Sequence, residues 1–267
     1  MSLILMSLLK TGKEKRSMRR KQCKLIADEF WTAAGGRELF PCQLESSVLW
    51  ALPVAVIKLP RLWVSDVEAW LTERGVQFRF ETANRPLRGS LLAYRGRGCV
   101  LLNGADSESE LRYSLAHETA HFLLNYLHPR RKAASLLGPA ILEVFDGLRV
   151  PTTRERVHGI LSRVPIGFHI HLMERSADGM VNHGSLMEVE DSADLLALEI
   201  ISPEEEVRRR VVRVLSQAQH RKPLEIAARL LLEEFGLPSG VAEGYARYLY
   251  PPVRASSVRE WLRQREQ

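Results

Sequence analysis

Apolar residues recur at helical spacing over residues 23–34, and Gly35-Gly36 ends that run. A second short helix is predicted over 41–50. The β-branched run Pro53-Val54-Ala55-Val56-Ile57-Lys58-Leu59 reads as a strand closed by Pro60. Ser65 is placed to cap a helix over 66–74, Gly75 stops it, and alternating apolar positions over 76–80 predict another strand. Residues 89–94 and 99–102 flank Arg95-Gly96-Arg97-Gly98, the pattern of a hairpin.

Ser107 with Glu110 three residues on forms a capping box that opens the next helix. Leu111, Leu115, Phe122 and Leu123 give that helix an apolar stripe. Beyond His128 the pattern loosens: helical spacing over 133–146 and 152–162, then a strand over 167–173 with His169 and His171 on one face. Ser185 and Glu188 repeat the capping-box signature and open a helix that runs to Pro203. Helical patterns over 205–217, 223–235 and 240–248 follow. This order predicts an α+β protein, with a small antiparallel or mixed sheet packed on a helix and a small helical C-terminal region. Three parts are expected: a basic, disordered tail over 1–24, a main domain over 25–204 with a long insertion at about 128–184, and helices over 205–267.

Composition adds little to this picture: 267 residues, 45% hydrophobic and 26% charged, are those of an ordinary globular protein. The net charge of +6 is concentrated locally, in Lys13, Lys15, Arg16, Arg19, Arg20 and Lys21 and in a block after Arg208, and solvated surface accounts for it without nucleic acid. Cys23, Cys42 and Cys99 are too few and scattered for a disulfide framework, so reduced thiols and a cytoplasmic setting are expected. The apolar opening over residues 1–9 is too short to span a bilayer and lacks the flanks of a signal peptide, so neither secretion nor a membrane anchor is expected.

Chemistry enters with His117-Glu118-Thr119-Ala120-His121, an H-E-x-x-H motif inside the helix opened by Ser107. Residues four apart share a helix face, so both imidazoles reach one metal ion while Glu118 lies beside its water as a general base. A catalytic site of this kind needs a third protein ligand and an open position. The helix opened by Ser185 supplies Glu190, with Asp194 on the same face to accept a hydrogen bond from a ligand histidine. Glu188 is assigned to the cap and Asp191 to solvent, because Glu190 and Asp194 run alongside Ala193 and Ala197 at helical spacing. Zinc suits two histidines and a carboxylate, and manganese or iron is also accommodated.

The blocks Ser114-Leu115-Ala116-His117-Glu118-Thr119-Ala120-His121-Phe122-Leu123-Leu124 and Glu190-Asp191-Ser192-Ala193-Asp194-Leu195-Leu196-Ala197-Leu198-Glu199-Ile200-Ile201-Ser202-Pro203 resemble the two signature blocks of ImmA/IrrE-type metallo-endopeptidases. The second block is similar to that family's E-x-x-A-[ND]-x-F-A-x-x-L-L-M-P, with Leu196 for the usual Phe and Ile201-Ser202 for Leu-Met. The resemblance spans roughly residues 41–212, and the long stretch between the blocks departs from it. It implies a zincin-like, gluzincin-type fold, Glu190 as third metal ligand, and a cytosolic bacterial or phage-borne enzyme. It also implies a protein substrate such as an XRE-type helix-turn-helix repressor or an antitoxin.

Donors for a tetrahedral oxyanion, or contacts to substrate, are sought among His169, His171, Tyr94, His183 and Arg163, and the sequence does not choose. The strand over 90–94 is expected to offer an edge to an extended peptide. Two other classes stay open: a DNA-associated regulator with a structural metal site, drawing on Arg208, Arg209, Arg210, Arg213, Arg221 and Lys222, and an antitoxin-like binding module with vestigial chemistry.

Overall fold

The computed structural model describes residues 12–37, 39–153, 155–156, 167–175, 184–217 and 222–251. The chain divides into a unit over 1–201 and a unit over 202–267. The first is mixed α+β and contains H-E-x-x-H; the second is helical.

The first unit opens with helix α1, Gly12–Ala33. The basic segment up to Lys24, expected as a tail, is therefore helical from Gly12. It continues into the apolar positions Cys23, Ile26, Ala27, Phe30 and Trp31, all buried. Helix α2, Leu44–Ala51, leads into β1, Val54–Leu59. Helix α3 runs Val64–Thr72, starting earlier than the sequence predicts, because Asp66 accepts the Trp63 N–H at 2.9 Å and caps the helix from inside. Ser65 is inside α3, and its N–H donates to Asn84 Oδ1 at 3.1 Å.

Strands β2, Leu87–Tyr94, and β3, Arg97–Asn103, form the expected hairpin. Arg95 and Gly96 both have positive φ, 47° and 78°, as a two-residue turn between right-twisted strands requires. The Gly96 N–H donates to the Tyr126 hydroxyl at 2.8 Å. Residues 76–80 do not form the predicted strand. Val76 and Phe80 pack on a cluster of Leu62, Val64, Val67, Leu71, Leu87, Leu92 and Leu101, and the Phe80 N–H is taken by Glu68 at 2.7 Å. The alternating sequence thus half-buries Val76 and Phe80 without strand pairing and leaves Phe78 exposed.

Helix α4, Glu108–His121, begins with the expected capping box: Ser107 Oγ accepts from Glu110 N at 3.4 Å, and Glu110 Oε2 accepts from Ser107 N at 3.1 Å. It runs on through a π-helical segment, Phe122–Leu127, into α5, His128–Leu137. The helix predicted over 133–146 is interrupted at Gly138, whose φ of 89° and following proline break the hydrogen-bond ladder, and resumes as α6, Ile141–Phe145. The predicted helix over 152–162 lies largely outside the described residues. Strand β4, His169–Glu174, and α7, Gly184–Ile201, complete the unit. The helix opened by Ser185 is present, but the side chains of the Ser185–Glu188 cap lie outside the described residues.

The sheet order is β1-β3-β2-β4, with β1 parallel to β3 and the other pairs antiparallel. Strand β2 is therefore internal, paired on both sides, and does not offer the edge expected of it; β4, from 80 residues on in the register Leu91↔His171, takes that place. One sheet face packs on α3 through Leu92 and Leu101. The other faces α4, where Gly98 meets Phe122 and Gly89 meets Glu118. α7 packs on the far side of α4 and also against α1.

The second unit comprises α8, Glu204–Gln217, α9, Pro223–Glu233, and α10, Ser239–Leu249. Val207, Val211, Ile226, Leu230, Leu231, Phe235, Leu237, Tyr245 and Leu249 are buried. Its arginines are largely engaged within the unit: Arg208 with Glu204 at 2.8 Å and the Leu249 carbonyl at 3.0 Å, Arg210 with Glu206 at 2.7 Å and with Glu234. Among the described residues, no helix is long and apolar enough to cross a membrane.

Candidate metal centre

The last two turns of α4 are enclosed between the sheet and α7, so every residue from Tyr113 to His121 is buried. Tyr113, His117, His121 and Asn125 recur at four-residue intervals and lie along one line of the helix. His117 Nε2 and His121 Nε2 face each other at 3.0 Å. From α7, Glu190 brings Oε2 to 3.3 Å from His117 Nε2 and 3.5 Å from His121 Nε2.

These three donors fit a metal ion. Tetrahedral bonds of ~2.0–2.1 Å set neighbouring ligand atoms ~3.3 Å apart, the spacing found here. Two neutral imidazole nitrogens and a carboxylate oxygen suit zinc, manganese or iron(II). Ligand atoms of His117, His121, His171 and Glu190 all lie within 4.8 Å of one another, close enough to hold a metal ion.

The far nitrogen of His117 is held as a ligand histidine requires. His117 Nδ1 donates to Asp194 Oδ1 at 2.9 Å, the bond anticipated from the Glu190–Asp194 spacing, and the Tyr113 hydroxyl donates to the same oxygen at 2.7 Å. Asn125 Nδ2 lies 2.8 Å from His121 Nδ1. Exchange of the amide nitrogen and oxygen by a flip about χ2 would set Oδ1 there, to accept the Nδ1 proton and leave Nε2 aimed inward.

Glu118 lies on the sheet side of α4, fully buried. Its oxygens are 2.9 and 3.1 Å from His171 Nδ1, and His171 Nε2 is 3.3 Å from Glu190 Oε1. The imidazole of His171 thus bridges two carboxylates while lying on the ring of His121, centroids 3.6 Å apart.

Burial pulls the His117 pKa down, but its bonds to Asp194 and Glu190 overcome this and lift it to about 10. His171 is raised to about 9: burial opposes, and the charge and hydrogen bond of Glu118 prevail. His121 falls to about 4, chiefly through burial, aided by the charges of His171 and His117. Burial pushes Glu118 upward, yet His171 holds it below the ordinary carboxylate value and therefore ionised. Glu190 and Asp194 are likewise kept ionised against burial by the histidines they face.

The remaining candidates stand apart. His169 faces Tyr126, ring centroids 6.2 Å apart, and its buried Nε2 has no hydrogen-bond partner among the described residues. Tyr94 stacks on Phe168 at 4.2 Å and takes part in none of the cluster's hydrogen bonds. His183 and Arg163 lie outside the described residues. Asn125 and Tyr113 were missed in the sequence reading, although their four-residue offsets from His121 and His117 were available as a signal. No protein-family model matches the chain, and no curated protein matches it.

Proposed function

We propose that the chain is a metal-dependent endopeptidase with a zincin-like catalytic domain, in which His117, His121 and Glu190 hold the cation and Glu118 moves the proton. One observation carries this reading: two imidazoles and a carboxylate converge at ligand spacing, while a second ionised carboxylate, Glu118, lies beside them and contributes no ligand atom to that trio. When bound, the cation supplies Lewis-acid polarisation of the scissile carbonyl and acidifies a water. Glu118 is buried, ionised and oriented, as a general base must be, and in that role it would take a proton from the attacking water and deliver it to the departing amine. Asp194 and Asn125 fix the rings of His117 and His121.

The H-E-x-x-H and E-x-x-A-[ND] blocks support peptide hydrolysis over other hydrolytic reactions, and with the ImmA/IrrE resemblance they favour a regulatory protein as substrate, an XRE-type repressor or antitoxin. The test is cleavage of a peptide mixture by zinc-loaded protein, read by mass spectrometry. Cleavage that disappears in Glu118→Gln while zinc is retained supports the reading, and equal cleavage by both proteins defeats it.

A second reading, a closed structural site, draws on His171 as a fourth donor within 4.8 Å of the others. It predicts zinc binding without hydrolysis. A DNA-associated role finds less support, because Arg208 and Arg210 are engaged by carboxylates of their own unit.

A further inference from the structure

We infer that His171 is a positioning residue that sets both carboxylates of the site, Glu118 through Nδ1 and Glu190 through Nε2, and is not a fourth metal ligand. The inference rests on the peptidase reading and adds a component from a different part of the fold. The two oxygens of Glu190 have separate partners: Oε2 faces His117 and His121, while Oε1 faces His171 at 3.3 Å. A carboxylate free to rotate would exchange those oxygens, and a donor on Oε1 holds Oε2 toward the ligand nitrogens. On its other side His171 Nδ1 contacts both oxygens of Glu118, at 2.9 and 3.1 Å. Each ring nitrogen therefore faces a carboxylate, Nδ1 that of Glu118 and Nε2 that of Glu190.

The ring geometry argues against coordination. The imidazoles of His121 and His171 lie 3.6 Å apart with 20° between their planes. A nitrogen lone pair lies in its ring plane, and planes so disposed meet only ~10 Å away, far beyond a metal–nitrogen bond of ~2.0–2.1 Å. One ion cannot be in plane with both rings, and His121 already faces His117 across the ligand gap.

The fold delivers this ring on a paired strand. His171 is opposite Leu91 in the β2–β4 register, and its carbonyl accepts from Ser90 Oγ at 2.9 Å. Ion pairs of Glu174 with Arg85 and of Arg175 with Asp106 secure one end of β4, and Phe168 stacked on Tyr94 secures the other.

Side-chain amides separate the two contacts, since asparagine places its NH2 near the Nδ1 position and glutamine near Nε2. Zinc affinity is measured by competition with a chromophoric chelator for wild type, His171→Ala, His171→Asn and His171→Gln, with folding checked by circular dichroism. The zinc-edge X-ray absorption spectrum counts imidazole ligands. The proposal expects two imidazoles in wild type and in His171→Gln, affinity within about threefold for His171→Gln, and a loss of about 10–100-fold for His171→Asn and His171→Ala, as for other residues that orient a ligand. Three imidazoles in wild type falling to two in the variants would overturn it, as would equal affinities for His171→Asn and His171→Gln. If wild type binds no zinc, or Glu190→Ala keeps it, the peptidase reading itself fails, a result distinct from either.

Discussion

A Cβ added at Gly89 in β2 would press on Glu118, so Gly89→Ala perturbs the proposed base without touching a metal ligand. A Cβ at this position falls 3.2 Å from both Cγ and Oε1 of Glu118 and 3.6 Å from Cδ. Ordinary carbon contacts are ~3.5–4.0 Å, so the carboxylate must retreat by roughly 0.3–0.5 Å. It has little room, being fully buried and held on both oxygens by His171. A displacement of ~1 Å at a reacting group costs on the order of 100-fold in rate, and half of that corresponds to roughly tenfold. Overpacking adds about 1 kcal/mol of destabilisation. The assay is the rate of cleavage of the best-cleaved peptide in a mixture, at equal zinc occupancy. Gly98→Ala is the control: its Cβ meets the Phe122 ring at 3.0 Å and Val54 at 3.1 Å, so it costs stability while leaving Glu118 untouched. Cleavage by Gly89→Ala equal to wild type, or zinc lost along with activity, refutes the reasoning.

Asp194→Asn keeps an acceptor for His117 Nδ1 but removes its charge, and zinc affinity is expected to fall about tenfold, with Tyr113→Phe causing a smaller loss in the same competition titration. Zinc affinity should rise with pH. His117, at about 10 in the metal-free protein, must lose a proton to bind, so log affinity climbs with slope near one between about pH 6 and pH 8, whereas an ordinary histidine near ~6.5 predicts a plateau. Arg130 pairs with Asp146 at 2.8 Å in a nearly closed site. Asp146→Ala is therefore expected to cost about 3 kcal/mol in chemical denaturation, by stranding a buried guanidinium.

The centre was legible where its chemistry is local. H-E-x-x-H and the Glu190–Asp194 spacing each sit within one helix, and helical geometry turns such spacings into shared faces. The Ser107–Glu110 cap and the β2–β3 hairpin were legible for the same reason. What escaped depends on pairing between distant segments. The sequence marks His169 and His171 as equivalent on one strand face, and only the register Leu91↔His171 separates the one that reaches Glu118 from the one beside Tyr126. Strand β2 was misjudged as an edge because nothing local announces that β4 covers it. Alternation over 76–80 does not separate strand pairing from partial burial, since Glu68 and a neighbouring cluster take up Phe80 and Val76 while Phe78 stays exposed. At α1, the apolar spacing marks only the half that carries the buried Cys23, Ile26, Ala27, Phe30 and Trp31, and nothing in the basic run before it announces that the helix begins at Gly12.

Elemental analysis of the purified protein beside His121→Ala and Glu190→Ala tests the central claim most directly. The account predicts about one divalent ion per wild-type chain and none retained by either variant, with both variants folded by circular dichroism. Metal kept in both variants, or absent from wild type after zinc loading, would contradict it.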